Sequence, residues 1–134
     1  MLSLVTYEIE TIYTFSGCSF ISTGSTGTIK SPNYPAKYSP NVDCTYTIKT
    51  QNGHLIKLAF DTFSLEHHNS CDNDYVAIHD GEDGNAPLLG KFCGTKSPQI
   101  ISSSSNTLFL RMKTDLAGED KGFHAQYSTG TNCK

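Results

Sequence analysis

The sequence predicts an all-β domain, and three observations support this fold class. Gly, Ser, Thr, Asn and Pro are abundant and Trp is absent, which is typical of a chain with many turns. Short runs of alternating apolar and polar residues recur between the turn signals, and this is the period of half-buried strands. Long helix-periodic runs with capping residues are missing, so we expect little helix.

The length and the charge limit the function classes. At 134 residues, the chain is long enough for one domain with a substantial core and short of what two domains need. Only 17% of the residues are charged, the net charge is -3, and the ten Lys and Arg residues are scattered. Nucleic-acid binding is therefore not expected as a main role. No apolar run approaches the roughly 20 residues of a transmembrane helix, so membrane insertion is not predicted either.

We interpret residues 1–17 as an N-terminal extension. Residues 5–15 are β-branched or aromatic at high density, so they can form an extra edge strand or add to a sheet edge of a neighbouring molecule. The segment lacks the basic start of a signal peptide, and Glu8 and Glu10 interrupt its apolar residues. We expect a piece of a longer secreted protein in which Met1 is an added start.

The predicted strands follow one another with turn signals between them. Three prolines in residues 31–40 predict a long surface crossing. Asn52-Gly53 predicts a hairpin turn, and residues 95–105 predict a loop with a short apolar insertion. Strands are predicted within residues 24–30, 44–50, 55–65, 75–79, 108–112 and 123–127.

The five cysteines indicate disulfides. No CxxC or CxxH spacing occurs, which argues against a zinc site and against a redox pair. Spacing alone leaves the pairing open, although sequential pairing is the first expectation, and each bridge would then contribute roughly 3.5 kcal/mol on the loop-entropy model. Disulfides predict an oxidising compartment, so the protein is expected to be secreted or on a cell surface. The cysteines are Cys18, Cys44, Cys71, Cys93 and Cys133.

An acidic loop separates two of the predicted strands. It covers residues 66–73 and, with the residue that follows, carries Glu66, Asp72 and Asp74. Carboxylates this close together repel one another unless a cation or a basic partner lies among them. Calcium is the first expectation, because hard divalent cations prefer such oxygen ligands.

Five blocks of sequence occur in an order and spacing that identify a family. They are GTIKSPNYPAKYSPNVDCTYTI, LAFDTFSLEHHNSCDNDYVAIHDG, LLGKFCG, LFLRMKTD and GFHAQY. Together they resemble the CUB domain, the extracellular module of complement proteases, tolloid-type proteinases, neuropilins, cubilin and spermadhesins. The resemblance covers residues 18–128 and leaves residues 129–134 as a C-terminal tail.

The resemblance implies a fold and a disulfide pairing. The fold would be a β-sandwich of two antiparallel sheets in a jelly-roll-like arrangement. The bridges would be Cys18–Cys44 and Cys71–Cys93, in agreement with sequential pairing. Cys133 would then be the odd cysteine, able to belong to a following domain, to pair between molecules or to remain a free thiol.

The resemblance also implies a calcium site at one end of the sandwich. Many CUB domains use a Glu before the third cysteine, an Asp three residues after it and an Asp after the penultimate strand, which here are Glu66, Asp74 and Asp115. The family's supporting tyrosine corresponds to Tyr38, whose hydroxyl would orient Glu66.

Two further positions of that site depart from the family pattern. The family often has Ser and Asn two and three residues after the last Asp, where this chain has Ala117 and Gly118. Ala117 can still offer its backbone carbonyl, whereas Gly118 cannot replace an amide side chain. We therefore expect a site that is weaker or more hydrated than in better-ligated members.

The implied function is that of a non-enzymatic extracellular protein-interaction module. In the family, carboxylate oxygens organised by calcium hold a Lys or Arg of the protein partner. Two alternatives remain open at this stage. One is a calcium-independent carbohydrate-binding or adhesive module, and the other is a structural spacer of a larger secreted protein that dimerises through residues 5–15 or Cys133.

Other residue patterns are weaker candidates. His67 and His68 are adjacent in a loop, so exposed histidines are a better interpretation than a transition-metal site. The acidic residues 80–83 lack the spacing of an EF-hand, which favours a solvated turn. No Ser lies in a nucleophile-elbow motif, so hydrolytic activity is not predicted.

Overall fold

The described chain consists of strands and loops. The computed structural model describes residues 17–116 and 119–131, and within them it contains no helix, so none that could span a membrane. This agrees with the all-β prediction. The expected extra strand of residues 5–15, and the residues Ala117, Gly118 and Cys133, lie outside the described residues. The strands are β1 (Gly17–Ser22), β2 (Thr26–Lys30), β3 (Asp43–Lys49), β4 (His54–Ser64), β5 (Tyr75–His79), β6 (Leu88–Phe92), β7 (Ile101–Ser102), β8 (Thr107–Lys113) and β9 (Gly122–Thr131).

Two sheets form a β-sandwich. One sheet has the strand order β2-β9-β4-β7 and the other β1-β3-β8-β5-β6. Every described pairing is antiparallel except that of β1 with β3, which is parallel. The sandwich is confirmed, and the expectation of purely antiparallel sheets is corrected at this one pair. The reason is connectivity: between β1 and β3 the chain passes through β2 in the other sheet, so it returns in its original direction.

The core lies between the sheets and follows from period-2 alternation. Along β3 the buried positions are Cys44, Tyr46 and Ile48, and on β8 they are Leu108, Leu110 and Met112. A fully buried aliphatic side chain of this size stabilises the fold by roughly 1.5–3 kcal/mol. The facing sheet contributes Ile29, Ile56, Leu58, Phe63, Phe123, Ala125 and Tyr127.

Both predicted disulfides are present. Cys18 and Cys44 are directly opposite each other on the parallel strands β1 and β3, with their Cα atoms 4.5 Å apart. Cys71 and Cys93, whose Cα atoms are 5.4 Å apart, fasten the acidic loop to the residue that follows β6. The second bridge therefore holds the loop between β4 and β5 against the five-stranded sheet.

The proline-rich crossing is anchored by backbone hydrogen bonds to the chain near β9. Ser31 N–H donates to the Phe123 carbonyl at 3.0 Å, and Tyr38 N–H donates to the Asp120 carbonyl at 3.1 Å. The Tyr34-Pro35 peptide bond is cis. These contacts position the Tyr38 side chain in the interior, where it is fully buried.

Gly122, at the start of β9, occupies a position that no other residue fits. Its φ is +87°, and a Cβ atom there would collide with Ser31 Oγ. We expect Gly122→Ala to lower the free energy of unfolding by about 3 kcal/mol or more, from left-handed backbone strain of about 1–2 kcal/mol and an overpacking cost of about 1–3 kcal/mol. Denaturant unfolding of the purified variant measures the loss.

Gly53 provides the matched control for that substitution. Its φ is +84°, but nothing lies within 4 Å of a Cβ built on it. Gly53→Ala should therefore lose only the backbone contribution of about 1–2 kcal/mol. Equal losses in the two variants would contradict the collision with Ser31.

The ion pair of Asp43 with Arg111 gives the fold a pH dependence. Arg111 Nε and Nη2 donate to the two carboxylate oxygens at 2.8 and 2.7 Å. These hydrogen bonds lower the pKa of Asp43 below its usual value. Because the pKa of Asp43 is lower in the folded state, the ion pair stabilises the fold at pH values above the unfolded pKa of about 3.9. This stabilisation is lost as the pH falls through the folded pKa.

We therefore expect Asp43→Asn to destabilise the protein at neutral pH and to have no effect at about pH 2. The two side chains are 33% and 44% exposed, so solvent screening limits the loss at neutral pH to about 0.5–1 kcal/mol. Urea unfolding at both pH values measures it, with the exposed Glu82→Gln as a control that should be neutral at both. A loss that persists at acidic pH would show that the carboxylate charge is not the cause.

Candidate metal centre

Three carboxylates converge where three strands begin or end. Glu66 lies just after β4, Asp74 immediately before β5, and Asp115 just after β8. β5 and β8 are antiparallel neighbours with Tyr75 opposite Lys113, which brings Asp74 beside Asp115. One oxygen from each of the three side chains lies within 4.8 Å of the others. The structure thus brings together all three acidic residues that the sequence predicted as calcium ligands.

Asp74 is the buried member of this group. Its side chain is 0% exposed, and its carboxylate accepts hydrogen bonds from the Tyr38 hydroxyl at 2.7 Å and from the Asp115 N–H at 2.9 Å. Burial is the largest influence and raises the pKa of Asp74. The two hydrogen bonds oppose that rise, and the negative charges of Asp115 and Glu66 add to it. A cation placed here would reverse this balance and favour the ionised carboxylate.

Tyr38 links two of the acidic positions through one hydroxyl group. The hydroxyl donates to Asp74 Oδ2 and accepts the backbone N–H of Glu66 at 3.1 Å. The expected hydrogen bond between Tyr38 and Glu66 is thus present, and it is made to the backbone of Glu66 rather than to its carboxylate. A hydroxyl has one proton to donate, and the desolvated Asp74 carboxylate accepts it. Burial raises the pKa of Tyr38, and the hydrogen bond to Asp74 raises it further.

The Glu66 carboxylate is oriented instead by Asn73, a residue that the sequence analysis did not single out. Asn73 Nδ2 donates to Glu66 Oε2 at 3.2 Å. Glu66 Oε1 is buried and has no hydrogen-bond partner among the described residues. A buried acceptor without a partner costs about 1–3 kcal/mol, so this oxygen is prepared for a ligand from outside the chain.

The donor set fits a hard divalent cation. The three carboxylates supply up to six oxygens and no nitrogen or sulfur, which favours calcium or magnesium over zinc or copper. Calcium accepts six to eight oxygens in flexible geometry, whereas magnesium requires a tight octahedron and retains its waters. Two of the three acids, Glu66 and Asp115, are only half-buried, so water can complete the coordination. The carbonyl of Ala117 lies outside the described residues and is not assigned.

Asp72 is not part of the cluster. It forms an ion pair with Lys91 at 3.1 Å, and the Lys91 amine also lies 4.3 Å from the centre of the Tyr75 ring. Of the two expected ways to relieve the repulsion in the acidic loop, a cation or a basic partner, Asp72 has the basic partner. Asp72 pairs with the ammonium group of Lys91 on β6. The third carboxylate beside Glu66 and Asp74 is that of Asp115, from a distant part of the chain.

His67 and His68 do not form a metal site with this group. His68 Nδ1 accepts the backbone N–H groups of Ser70 and Asp72, both at 3.2 Å, so it shapes the loop before Cys71. Asp80 also has a local role, because its carboxylate accepts the Ser104 N–H at 2.9 Å. Within residues 17–116 and 119–131, Glu66, Asp74 and Asp115 are the single group of three metal-ligating side chains that lie together.

Comparison with known proteins identifies the family. The model of the CUB domain matches residues 18–127. Mouse (Mus musculus) Tolloid-like protein 2 is 40% identical over 114 residues, which are 85% of this chain and 11% of that protein. Rat (Rattus norvegicus) cubilin is 39% identical over 117 residues, which are 87% of this chain and 3% of that protein. The chain thus spans a small fraction of the length of these relatives.

A solved structure supports the same assignment. The MASP-1 CUB2 domain bound to Ca²⁺ has a TM-score of 0.72 and 37% identity to this chain, and the match covers 81% of this chain and 96% of that one. The sequence match to the family model and the structural match to this domain agree. The chain belongs to the CUB domain family.

Proposed function

We propose that this chain is a non-enzymatic extracellular module that binds calcium through Glu66, Asp74 and Asp115 and uses the resulting acidic surface to hold a Lys or Arg of a protein partner. The observation that carries the proposal is the convergence of the three carboxylates, one of which has a buried oxygen with no partner among the described residues. The calcium-bound MASP-1 CUB2 domain, a structural neighbour, supports the choice of metal.

Calcium would relieve the electrostatic cost of this arrangement. The burial of Asp74 and the proximity of Asp115 and Glu66 disfavour three negative charges in one place. A divalent cation offsets that repulsion and satisfies Glu66 Oε1. Extracellular calcium modules commonly bind with a Kd of about 10⁻⁴ to 10⁻³ M, so occupancy of this site would follow the ambient calcium concentration.

The half-buried acids provide the contact for a partner. Glu66 and Asp115 are each partly accessible, so their outer oxygens can accept hydrogen bonds from an ammonium or guanidinium group. Leu116, next to Asp115, is 81% exposed and can pack against the aliphatic stem of such a side chain. Calcium would fix the oxygens before the partner arrives and so reduce the ordering cost of binding.

The expected localisation follows from the cysteines. Two disulfides in a domain of this size persist in an oxidising compartment. We therefore expect the protein to be secreted or displayed outside the cell. Calcium is abundant enough there to occupy a site of millimolar affinity.

Glu66→Gln should weaken calcium binding at least about tenfold, because a neutral amide replaces one of three charged ligands while the shape is kept. Calorimetric titration of calcium into the chelator-stripped domain measures the affinity. Glu82→Gln removes an equal charge from an exposed turn and should leave the affinity unchanged. No heat of binding in the unaltered domain, or equal weakening by both substitutions, would contradict the metal site.

Recognition of a basic side chain should require calcium. We expect Nα-acetyl-lysine methylamide to bind with a Kd on the order of millimolar in excess calcium and not in chelator. Chemical-shift changes in a ¹⁵N-labelled domain report the binding, and they should centre on residues 64–66, 73–75 and 113–116. The Nε-acetylated compound, which lacks the charge, should not bind. Equal binding in chelator, or shifts on another face, would argue against this surface.

A further inference from the structure

The turn between β3 and β4 presents an Asn-Gly pair to solvent. Asn52 and Gly53 are both exposed, and the turn is closed by the His54 N–H, which donates to the Gln51 carbonyl at 3.0 Å. Gly53 has φ +84°, and nothing lies within 4 Å of a Cβ built on it. Because β3 and β4 belong to different sheets, the turn joins the two layers of the sandwich rather than closing a hairpin.

The amide group of Asn106, the residue before β8, contacts this turn. Asn106 Nδ2 donates to Asn52 Oδ1 at 3.2 Å and to the Thr50 carbonyl at 2.9 Å. The backbone carbonyl of Asn106 accepts the Thr50 N–H at 2.9 Å. Thr50 is buried, so these contacts fix the Asn106 donor against the interior of the domain. The Asn52 amide oxygen therefore has a positioned donor although its side chain lies at the surface.

The main-chain nitrogen of Gly53 is available for reaction. Its N–H donates to no acceptor among the described residues. Glycine has no side chain, so no Cβ hinders the approach of its nitrogen to a carbonyl carbon. The side-chain carbonyl carbon of Asn52, Cγ, is the electrophile next to it in the chain, and a bond between these two atoms closes a succinimide ring.

We propose that Asn52 is a site of spontaneous deamidation in the folded protein and that Asn106 promotes the reaction. The Gly53 nitrogen bonds to Cγ of Asn52, its proton passes through solvent to Nδ2, and the Cγ–Nδ2 bond breaks to release ammonia. Water then opens the succinimide at either of its two carbonyl groups, which gives aspartate or isoaspartate. The reaction needs water alone and neither oxidises nor reduces the chain.

Asn106 stabilises the charge that develops during the attack. Addition of the Gly53 nitrogen moves electron density onto Asn52 Oδ1, the atom that already accepts the hydrogen bond from Asn106. A hydrogen bond to a charged oxygen is about twice as strong as one to a neutral oxygen, so this contact strengthens between the amide and the tetrahedral intermediate. A donor placed where charge develops lowers the barrier to reaction.

Asn85 shows which features set Asn52 apart. Of the asparagines in the sequence, Asn52 alone precedes a glycine. Asn85 is also exposed in a turn, but it precedes Ala86, which has a Cβ. The Ala86 N–H also donates to the Asp83 carbonyl at 3.1 Å, so its nitrogen is held in the turn. Asn85 is therefore an internal control within the same molecule.

Either product changes the link between the two sheets. Aspartate adds one negative charge to the net charge of -3 and keeps the Asn106 contact as a charge-assisted hydrogen bond. Isoaspartate carries the main chain through its side-chain carbons and so lengthens the turn that the bond between His54 and Gln51 closes. The turn and Glu66 lie at opposite ends of β4, so the reaction does not depend on the proposed calcium site.

Incubation of the full chain at constant pH and temperature, followed by proteolysis and mass spectrometry, measures deamidation at each asparagine. We expect the Asn52 fragment of the folded chain to be converted to aspartate and isoaspartate while the Asn85 fragment stays unchanged. The rate should rise with pH, because the attacking nitrogen must lose its proton. An unreacted Asn52 fragment in the folded chain, under conditions in which the urea-unfolded chain reacts there, would overturn the proposal.

Two substitutions of Asn106 test its role as a donor. Asn106→Asp keeps the shape and Asn106→Ala adds no charge, and each removes the Nδ2 donor. We expect both folded variants to react at Asn52 at least about two- to tenfold more slowly, which corresponds to the loss of one net hydrogen bond. Asn85→Asp, the control, should leave the rate unaltered. In urea all four chains should react equally, because residues 51–54 are the same in each. An unchanged or faster rate in the folded Asn106 variants would overturn the role of Asn106.

Discussion

The hydroxyl group of Tyr38 is the contact on which the acidic end of this domain depends. It donates to the buried carboxylate of Asp74 and accepts the backbone N–H of Glu66. A carboxylate removed from water is costly unless it is hydrogen-bonded, and Tyr38 is itself fully buried. One hydroxyl therefore ties the proline-rich crossing to the end of β4 and to the start of β5, which lie in different sheets.

The two hydrogen bonds that support Asp74 come from uncharged donors, the Tyr38 hydroxyl and the Asp115 backbone N–H. The Cys71–Cys93 bridge holds the loop that begins at Glu66. Neither of these donors neutralises the charge of Asp74, which lies close to Glu66 and Asp115. Such a group has a clear use for a cation, and this is the physical basis for the proposed calcium dependence.

Local patterns in the sequence predicted most of the fold. β3 alternates throughout, and β8 and β9 alternate after their first residue, so their buried apolar residues lie where alternation predicts. β1 was missed because six residues of mixed polarity, GCSFIS, give no clear period, and because its parallel pairing with β3 depends on the return of the chain through the other sheet. Alternation along β5 predicts that Ala77 lies on the polar, exposed face. In the structure Ala77 is buried, because β5 lies between β6 and β8.

The candidate site was predictable where the family resemblance supplied distant residues, and less so from the acidic loop alone. Proximity in sequence pointed to Asp72, but the side chain pairs with Lys91, which approaches only after β6 has folded onto β5. Asn73 was not foreseen for a related reason. Its amide reaches Glu66 across a loop in which Cys71 has a left-handed backbone, with φ 54°, and is bridged to Cys93. Such a loop shape depends on a tertiary contact that local sequence patterns do not reveal.

Two parts of the described domain, the acidic end and the edge of β1, differ in the selectivity for partners that they would give. The acidic end would select partners by charge and position, through a cation and oriented carboxylates. Among the described strands β1 pairs only with β3, and such an edge would accept almost any extended chain, because it offers backbone hydrogen bonds beside an apolar groove. A module that relies on a weak, calcium-dependent contact needs the second region closed, since an unselective edge would compete with the specific partner.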